Sequence, residues 1–222
     1  MTTRERLQQA AAEEFAARGF QGATVAEICR KAGANIAAIN YHFGSKEALY
    51  QETWRQAHRE LVAALPPDGG VAATAPAEER LRGRIRAGLQ RAILGEALEF
   101  QIMRHEMANP TGLLRQVIDD AIRPIREATQ ALLRELLGPE ASALDLELCE
   151  VAVVAPFMHI THRSQAEKHD GLAPIFTEDM LETMADRLGA FALGGIRAIR
   201  QSAAHKVEAC AGSHCVTASE GL

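Results

Sequence analysis

Asn40, Tyr41 and His42 are three consecutive hydrogen-bonding side chains in an alanine-rich stretch, AGANIAAINYHFGSKEALY, residues 32–50. Such side chains can donate to phosphate oxygens and form hydrogen bonds with the edges of bases. The small alanines around them would let a helix backbone approach a large partner closely. The helix predicted here is too short to bury much of its own surface, so we expect its polar end to contact another molecule.

Two further helices are predicted to position this short helix. Thr2 and Thr24 each stand three residues before a glutamate, which is the pattern of a capping box at a helix start. They predict one helix over residues 3–18 and a second of about eight residues. Asn35 is predicted to cap the third, which runs to about His42. Two short helices joined by a glycine turn are typical of a helix-turn-helix unit, although a simple hairpin with a polar tip fits the same spacing.

The run TVAEICRKAGANIAAINYHFGSKEALY resembles the DNA-binding domain of TetR-family transcriptional regulators. The resemblance covers residues 3 to about 52 and implies that this segment binds duplex DNA. Asn40 stands where the family usually has Tyr, and Ala37 stands where Gly is common. These departures leave open which bases are read and how closely the helix approaches them.

The resemblance also implies roles for individual residues. Thr24 and Lys46 would contact phosphates, Asn35 would cap the recognition helix, and Tyr41 and His42 would reach the backbone or the bases. A purely structural role stays open for each: Thr24 can be used up in capping, and Lys46 can pair with a neighbouring glutamate. The residues predicted to form the DNA-binding surface are Thr24, Asn35, Ile36, Ala37, Ala38, Asn40, Tyr41, His42 and Lys46.

Composition predicts an all-α protein. The chain has 222 residues, 47% of them hydrophobic and only 5% aromatic, and Ala and Leu dominate the apolar set. We predict an N-terminal three-helix helix-turn-helix domain over 1–48. A larger C-terminal bundle of about five to six helices over 49–200 would sense a ligand and form the dimer. Residues 201–222, rich in Ala, Ser and Gly without an apolar period, are predicted to be a disordered tail.

The distribution of charge and the spacing of the cysteines limit the partners and metals that the chain is expected to bind. The net charge is −5, yet residues 1–50 hold six basic and five acidic side chains, so the acidity lies outside the N-terminal segment. So weak a positive charge predicts that one domain alone binds DNA weakly and that a dimer is needed.

No signal-peptide or membrane-span pattern is present, which predicts a cytoplasmic protein without a membrane partner. The tail residues His205, Cys210, His214 and Cys215 match no zinc spacing, so neither a metal nor a cofactor is expected.

The last two long helices are predicted to begin after Ser142 and Thr177, the second ending near Arg200. The first of them is apolar on nearly all sides and therefore needs partners on nearly all sides. The resemblance implies that both pack against the same pair of a second subunit, although a self-contained monomeric bundle is the alternative. The predicted dimer-interface residues are Val153, Met180, Leu181, Met184, Leu188 and Phe191.

A ligand site is predicted from methionine, phenylalanine and histidine side chains in the C-terminal region. Methionine gives an adaptable apolar lining and histidine a polar group, although each residue can equally be ordinary core. The stretch RHEMANPTG resembles a TetR subgroup often linked to efflux and antimicrobial tolerance. The predicted ligand is small and mainly apolar. The residues predicted to line its site are Phe100, Met103, Met107, Phe157, Met158, His159 and His162.

These features together predict a ligand-responsive transcriptional regulator. In this prediction a dimeric repressor leaves a palindromic operator when a small apolar molecule binds, with efflux or stress genes as candidate targets. An enzyme is not expected, because the sequence has no glycine-rich phosphate loop, nucleophile elbow or HExxH motif. A helical adaptor for another protein, or a small enzyme that uses the bundle cavity, remains the competing hypothesis.

Overall fold

The computed structural model describes residues 1–94, 97–169, 171–173 and 175–214, and in this part of the chain it contains helices and no strand. The all-α prediction is confirmed. The helices are α1 (Thr3–Gly22), α2 (Val25–Ala32), α3 (Ala37–Phe43), α4 (Lys46–Ala64), α5 (Ala77–Leu94), α6 (Leu98–Ala108), α7 (Arg115–Leu137), α8 (Ala143–His169) and α9 (Leu181–His214), with a 3-10 turn at Glu178–Met180.

The chain divides into two compact units. The first comprises residues 1–66 and 94–124, and the second comprises 67–93 and the chain from 125 onward. The first unit thus combines α1 to α4 with α6 and the start of α7. A functional boundary near residue 48 stays a prediction.

The predicted capping residues stand at the observed starts of the first two helices. Thr2 and Glu5 form the complete capping box, with the Glu5 amide donating to the Thr2 hydroxyl at 3.2 Å. The second predicted box is only half formed. Thr24 accepts from the Glu27 amide at 3.2 Å, but the Glu27 carboxylate binds Arg30 at 2.6 Å instead of returning to the helix start. This pair lowers the pKa of Glu27.

The break in α1 falls at Gly19, one residue beyond the predicted helix end. Gly19 has φ 66° and ψ −178°, and the chain makes one more helical turn to Gly22. A side chain at Gly19 would also meet His105, whose Cβ would lie 3.0 Å from the added Cβ. Positive φ and this close approach both favour glycine here.

The core of the first unit is formed by apolar side chains of α1, four residues apart, together with those of α4. Leu7, Ala11 and Phe15 of α1 are all fully buried, and they pack with Tyr50 and Trp54 of α4. The Phe15 and Tyr50 rings meet edge to face at 4.8 Å between centroids. This core holds α2 and α3 against α1 and α4.

Polar contacts attach α6 to the same core. The buried carboxylate of Glu106 accepts from the Tyr50 hydroxyl at 3.1 Å and from the backbone N–H groups of Thr111 and Gly112 at 2.9 and 3.1 Å. His105 Nε2 donates to the carbonyl of Ala16 at 3.0 Å. Glu106 therefore anchors α6 to α4, and its neighbour His105 in the stretch RHEMANPTG anchors α6 to α1.

The core of the second unit includes apolar side chains at four-residue spacing along α5. Leu81, Ile85 and Leu89 are buried, and Ile93 is partly buried against them. α5 and α8 approach closely at Gly88, where an added Cβ would lie 2.6 Å from Cε2 of Phe157. Glycine at this position therefore makes room for the phenylalanine ring.

The last helix is longer than predicted. α9 continues past Arg200 to His214, through a segment predicted to be disordered, and Ala203 within it is buried. Its alanines favour helix even without an apolar period. Residues 215–222, including Cys215, lie outside the described residues, as do the side chains of Cys210 and His214.

No helix in the described part of the chain is long and apolar enough to cross a membrane.

Replacing Tyr50 by Phe should destabilise the first unit by about 1–3 kcal/mol, because a buried carboxylate loses a hydrogen-bond donor. The chain has one tryptophan, Trp54, and it lies in this core, so its fluorescence during urea unfolding reports on this unit. Tyr41→Phe is the matched control, since Tyr41 is exposed and should change stability by less than about 0.5 kcal/mol. Equal stability of the two variants would show that the Tyr50 hydroxyl contributes nothing.

Candidate nucleic-acid interface

The short helix α3 presents one continuous face to solvent. Ile36, Ala37, Asn40 and Tyr41 are exposed, and Tyr41 reaches 85% exposure. Ile39 points the other way and is buried, with Ala38 and Phe43 packed partly against the core. The exposed face carries an amide, a phenol and two apolar side chains, and this set can contact a base-pair edge and a phosphate.

The turn before α3 is built for a sharp change of direction. Gly33 adopts the left-handed conformation, with φ 58° and ψ 43°, and its N–H caps α2 by donating to Arg30 and Cys29 carbonyls. Asn35 then accepts from the Ala37 amide through Oδ1 at 3.0 Å, so its predicted capping contact is present. The Asn35 oxygen is thereby used within the protein, which leaves the rest of the exposed face to meet a partner.

Thr24 and Lys46 stand at the starts of α2 and α4, the helices that precede and follow α3 in the chain. The Thr24 hydroxyl oxygen accepts the capping bond of α2, and its own proton stays available to donate to a phosphate. Lys46 Nζ lies 4.3 Å from the centroid of the Phe20 ring, a cation–π contact that orders it. Among the described residues, Lys46 makes no close ion pair. The pKa of Glu47 is lowered by hydrogen bonds to its own backbone N–H and to Ser45, and the charge of Lys46 adds to this effect, so the suggested pairing is present only as a longer-range attraction.

Ala38 and His42, also predicted for this surface, are partly buried on its inner edge. His42 contacts the rings of Tyr41 and Phe43 on either side, at 4.9 and 6.3 Å between centroids. Ala38 and His42 therefore do not belong to the exposed face of α3. The His42 ring packs beside the Tyr41 ring.

Arg4 is a cation that the sequence analysis did not single out. Its guanidinium lies 5.1 Å from the centre of the Phe43 ring at the end of α3, and 3.9 Å from Glu52. The signal available was a basic residue in the first turn of α1, which is too common to be specific. Most other cations of the three N-terminal helices are neutralised, as Lys31 is by the buried Glu14 at 2.8 Å.

A second exposed surface lies on α8 and α9. Apolar side chains stand out from α8 at three- and four-residue spacing, and Phe191 of α9 is 75% exposed. Two of the residues predicted for a dimer interface, Val153 and Leu181, are instead buried in the core of their own chain, so they are not available to a partner. The exposed apolar residues of α8 are Leu144, Leu148, Val151, Val154 and Met158.

The remaining predicted interface residues differ in exposure. Met180 is exposed, whereas Met184 and Leu188 are partly buried against the core of the second unit. The periodicity of α8 and α9 marked both inward and outward faces as apolar, and so could not distinguish between them.

The predicted ligand-lining residues fall in both units. Phe100, Met103 and Met107 are in the first unit, where Met103 packs partly against the core and Met107 is exposed. In the second unit Phe157 packs partly against the core, while Met158, His159 and His162 are exposed on α8. The four residues of the second unit thus do not converge on one cavity. A gap of about 10 Å³ lies beside Phe157 and is lined in part by Ile85 and Leu188.

Two family models match this chain. Residues 7–53, which hold the helix-turn-helix, match the tetR family of bacterial regulatory proteins, and residues 77–196 match the C-terminal domain of the HTH-type transcriptional dual regulator CecR. The chain belongs to the TetR family. It is therefore a DNA-binding transcriptional regulator and not an enzyme.

Relatives agree with this assignment. The chain is 29% identical over 170 residues to a Bacillus subtilis (strain 168) protein named uncharacterized HTH-type transcriptional regulator YdgC, covering 72% of this chain and 79% of that one. A crystal structure of a transcriptional regulator from Pseudomonas aeruginosa PAO1 has a TM-score of 0.70 at 21% identity, over 90% of this chain and 92% of that chain. The structure of AibR with isovaleryl coenzyme A and operator DNA has a TM-score of 0.61 at 19% identity, over 86% and 97%. At these identities the two structures establish the fold.

Tyr41→Ala and Lys46→Ala should each weaken DNA binding and leave the helical content unchanged, because Tyr41 is exposed on α3 and the partly exposed Lys46 begins α4 directly after it. Losing Lys46 should also lower the slope of log affinity against log salt by about one unit per subunit if the ammonium neutralises one phosphate. Band shifts at several salt concentrations, with circular dichroism as the folding check, measure both effects.

The matched control is Arg123→Ala, which removes an exposed cation that pairs with Asp120 on α7. Its salt slope should equal that of the wild type. Unchanged affinity in both the Tyr41→Ala and the Lys46→Ala variants would contradict the assignment of the site.

Proposed function

We propose that this TetR-family regulator is a homodimeric repressor that binds a palindromic operator through α3 and is released by a small, mainly apolar effector. The exposed face of α3, with Ile36, Asn40 and Tyr41 directed away from the core, is the observation that carries the proposal. A recognition helix is useful only if its side chains are free to reach the major groove. The proposed compartment is the cytoplasm, where bacterial DNA lies.

The shortage of free cations supports the dimer. Among the described residues, Lys46 directly follows α3 and Arg4 lies over the Phe43 ring at its end, but Arg4 also pairs with Glu52. So few available cations per subunit give weak binding at physiological salt. A two-fold dimer doubles every contact and matches a two-fold DNA site. The exposed apolar residues of α8, together with Phe191, would form the dimer interface. Contiguous apolar surface of this kind marks an interaction site.

Met158→Glu and Phe191→Glu should each convert the dimer into monomers, since a charge buried in an apolar interface without a partner is strongly unfavourable. Light scattering at micromolar concentration should give a mass near 24.0 kDa for the variants and twice that for the wild type. Ile122→Glu, on the exposed side of α7, controls for the introduced charge and should stay dimeric. A monomeric wild type would contradict the proposal.

The proposed effector site surrounds Phe157 in the second unit. The gap beside this ring has room for about one water molecule, so a ligand of drug-like size must displace the ring. Ile85, Val153 and Leu188 are the apolar walls that would then line the site. AibR, whose structure contains both isovaleryl coenzyme A and operator DNA, is a fold neighbour that supports a ligand-responsive role.

The effector should bind the free protein more tightly than the operator complex, because a ligand shifts an equilibrium only through its differential affinity. About 1–3 kcal/mol of coupling is the usual scale, or roughly 5- to 150-fold. Calorimetry on both states, with an effector found by screening apolar and aromatic compounds, measures it. Phe157→Ala should change effector affinity and leave operator affinity unchanged. Equal effector affinity in the two states would refute release by this route.

Selection of duplexes from a random library, and of fragments from the source genome, tests the proposed function as a whole. The expected result is one enriched site with two-fold symmetry and an affinity that falls steeply with salt. Failure to enrich any sequence under low-salt conditions would contradict it. The neighbours of the enriched genomic site then test the candidate link to efflux or stress genes.

A further inference from the structure

We propose that Ile36 reads sequence by packing on a thymine methyl group in the major groove, so that each operator half-site holds a thymine at this contact. The proposal rests on the proposed function and deepens it, because it names the base that the first turn of α3 selects.

The first observation is the exposure of an isoleucine that the fold does not need there. Ile36 is 54% exposed, immediately before the first residue of α3. The Ala37 N–H donates the capping bond of this helix to Asn35 Oδ1, so the Ile36 side chain does not cap. The apolar contact between α3 and the core is made by Ile39, with Ala38 and Phe43 beside it. Nothing in the packing of the first unit therefore accounts for a large apolar side chain at this position.

The second observation is where Ile36 stands. It lies at the N-terminal end of the recognition helix, and in helix-turn-helix proteins this end contacts base edges. On a helix of 3.6 residues per turn, Asn40 lies about 40° around the axis from Ile36 and Ala37 about 100°, so the three share one side. All three are exposed.

The chemistry of the groove selects the partner. The thymine C5-methyl is the apolar group that the major groove presents, and aliphatic side chains contact it. An isoleucine offers nothing to the donors and acceptors of a G·C pair. Asn40, whose amide has no hydrogen-bond partner among the described residues, can bind adenine N6 and N7. About 6 Å of helix rise separates Ile36 from Asn40, so this adenine should lie within roughly two base pairs of the thymine.

Methyl deletion in the DNA tests the contact directly. In the selected operator each thymine of the half-site is replaced in turn by deoxyuridine, which removes the methyl and keeps every hydrogen-bonding group. Wild-type protein should lose about fourfold in affinity per half-site at one position, the expected loss for one buried methyl. Ile36→Ala should bind the thymine and deoxyuridine duplexes equally. Because Ile36 is exposed, this variant should fold normally.

A second substitution separates the methyl from the rest of the base. A C·G pair at that position should bind poorly, and 5-methylcytosine paired with guanine should recover about the same fourfold, again only with Ile36 present. Tyr41→Ala is the comparison variant, since it should lower affinity for thymine and deoxyuridine duplexes by the same factor.

The outcomes are distinguishable from failure of the proposed function. If no duplex is enriched, the DNA-binding proposal itself fails. If an operator is bound but no deoxyuridine position weakens wild type, or if Ile36→Ala keeps the full preference for thymine, the methyl contact is refuted and the regulator stands.

Discussion

The buried carboxylate of Glu106 is the interaction on which the DNA-binding unit depends. Among the described residues no cation lies within ion-pairing distance, so the charge is held by neutral donors: the Tyr50 hydroxyl and the turn after α6 at Thr111 and Gly112. Burial and the neighbouring carboxylate raise the pKa of Tyr50, which keeps its hydroxyl protonated as a donor. A buried charge with broken hydrogen bonds is costly, so α4, α6 and this turn are held in one arrangement.

This arrangement gives the recognition helix a firm base. α3 has only seven residues and could not be stable alone, so its position comes from packing on α1 and α4. His105 adds a bond from α6 to the carbonyl of Ala16, beside the break in α1 at Gly19. The first unit therefore includes α6, and α7 is the helix in which the chain leaves this unit, at Pro124. An effector that moved α6 or α7 would act directly on the support of α3.

Sequence reasoning succeeded where the signal is local. Thr2, Thr24 and Asn35 each act within one or two helical turns, and the first three helices were found close to their observed starts. The Tyr50–Glu106 bond joins residues 56 apart, and no local pattern reports such a pair. The same limit explains the dimer surface. Because α8 is apolar on several sides, its pattern could not tell Val153, which faces inward, from residues that face solvent.

Amide hydrogen exchange with and without the selected operator tests the central claim, that α3 contacts DNA as part of a unit tied together by Glu106. DNA should slow amide exchange in the α2–α3 turn and in α3, residues 33–44. It should also slow exchange at Thr111 and Gly112, whose backbone N–H groups donate hydrogen bonds to Glu106. The stabilisation at both places follows because DNA binds only the folded unit. Unchanged exchange in α3, together with tight operator binding, would show that another surface holds the DNA and would contradict the account.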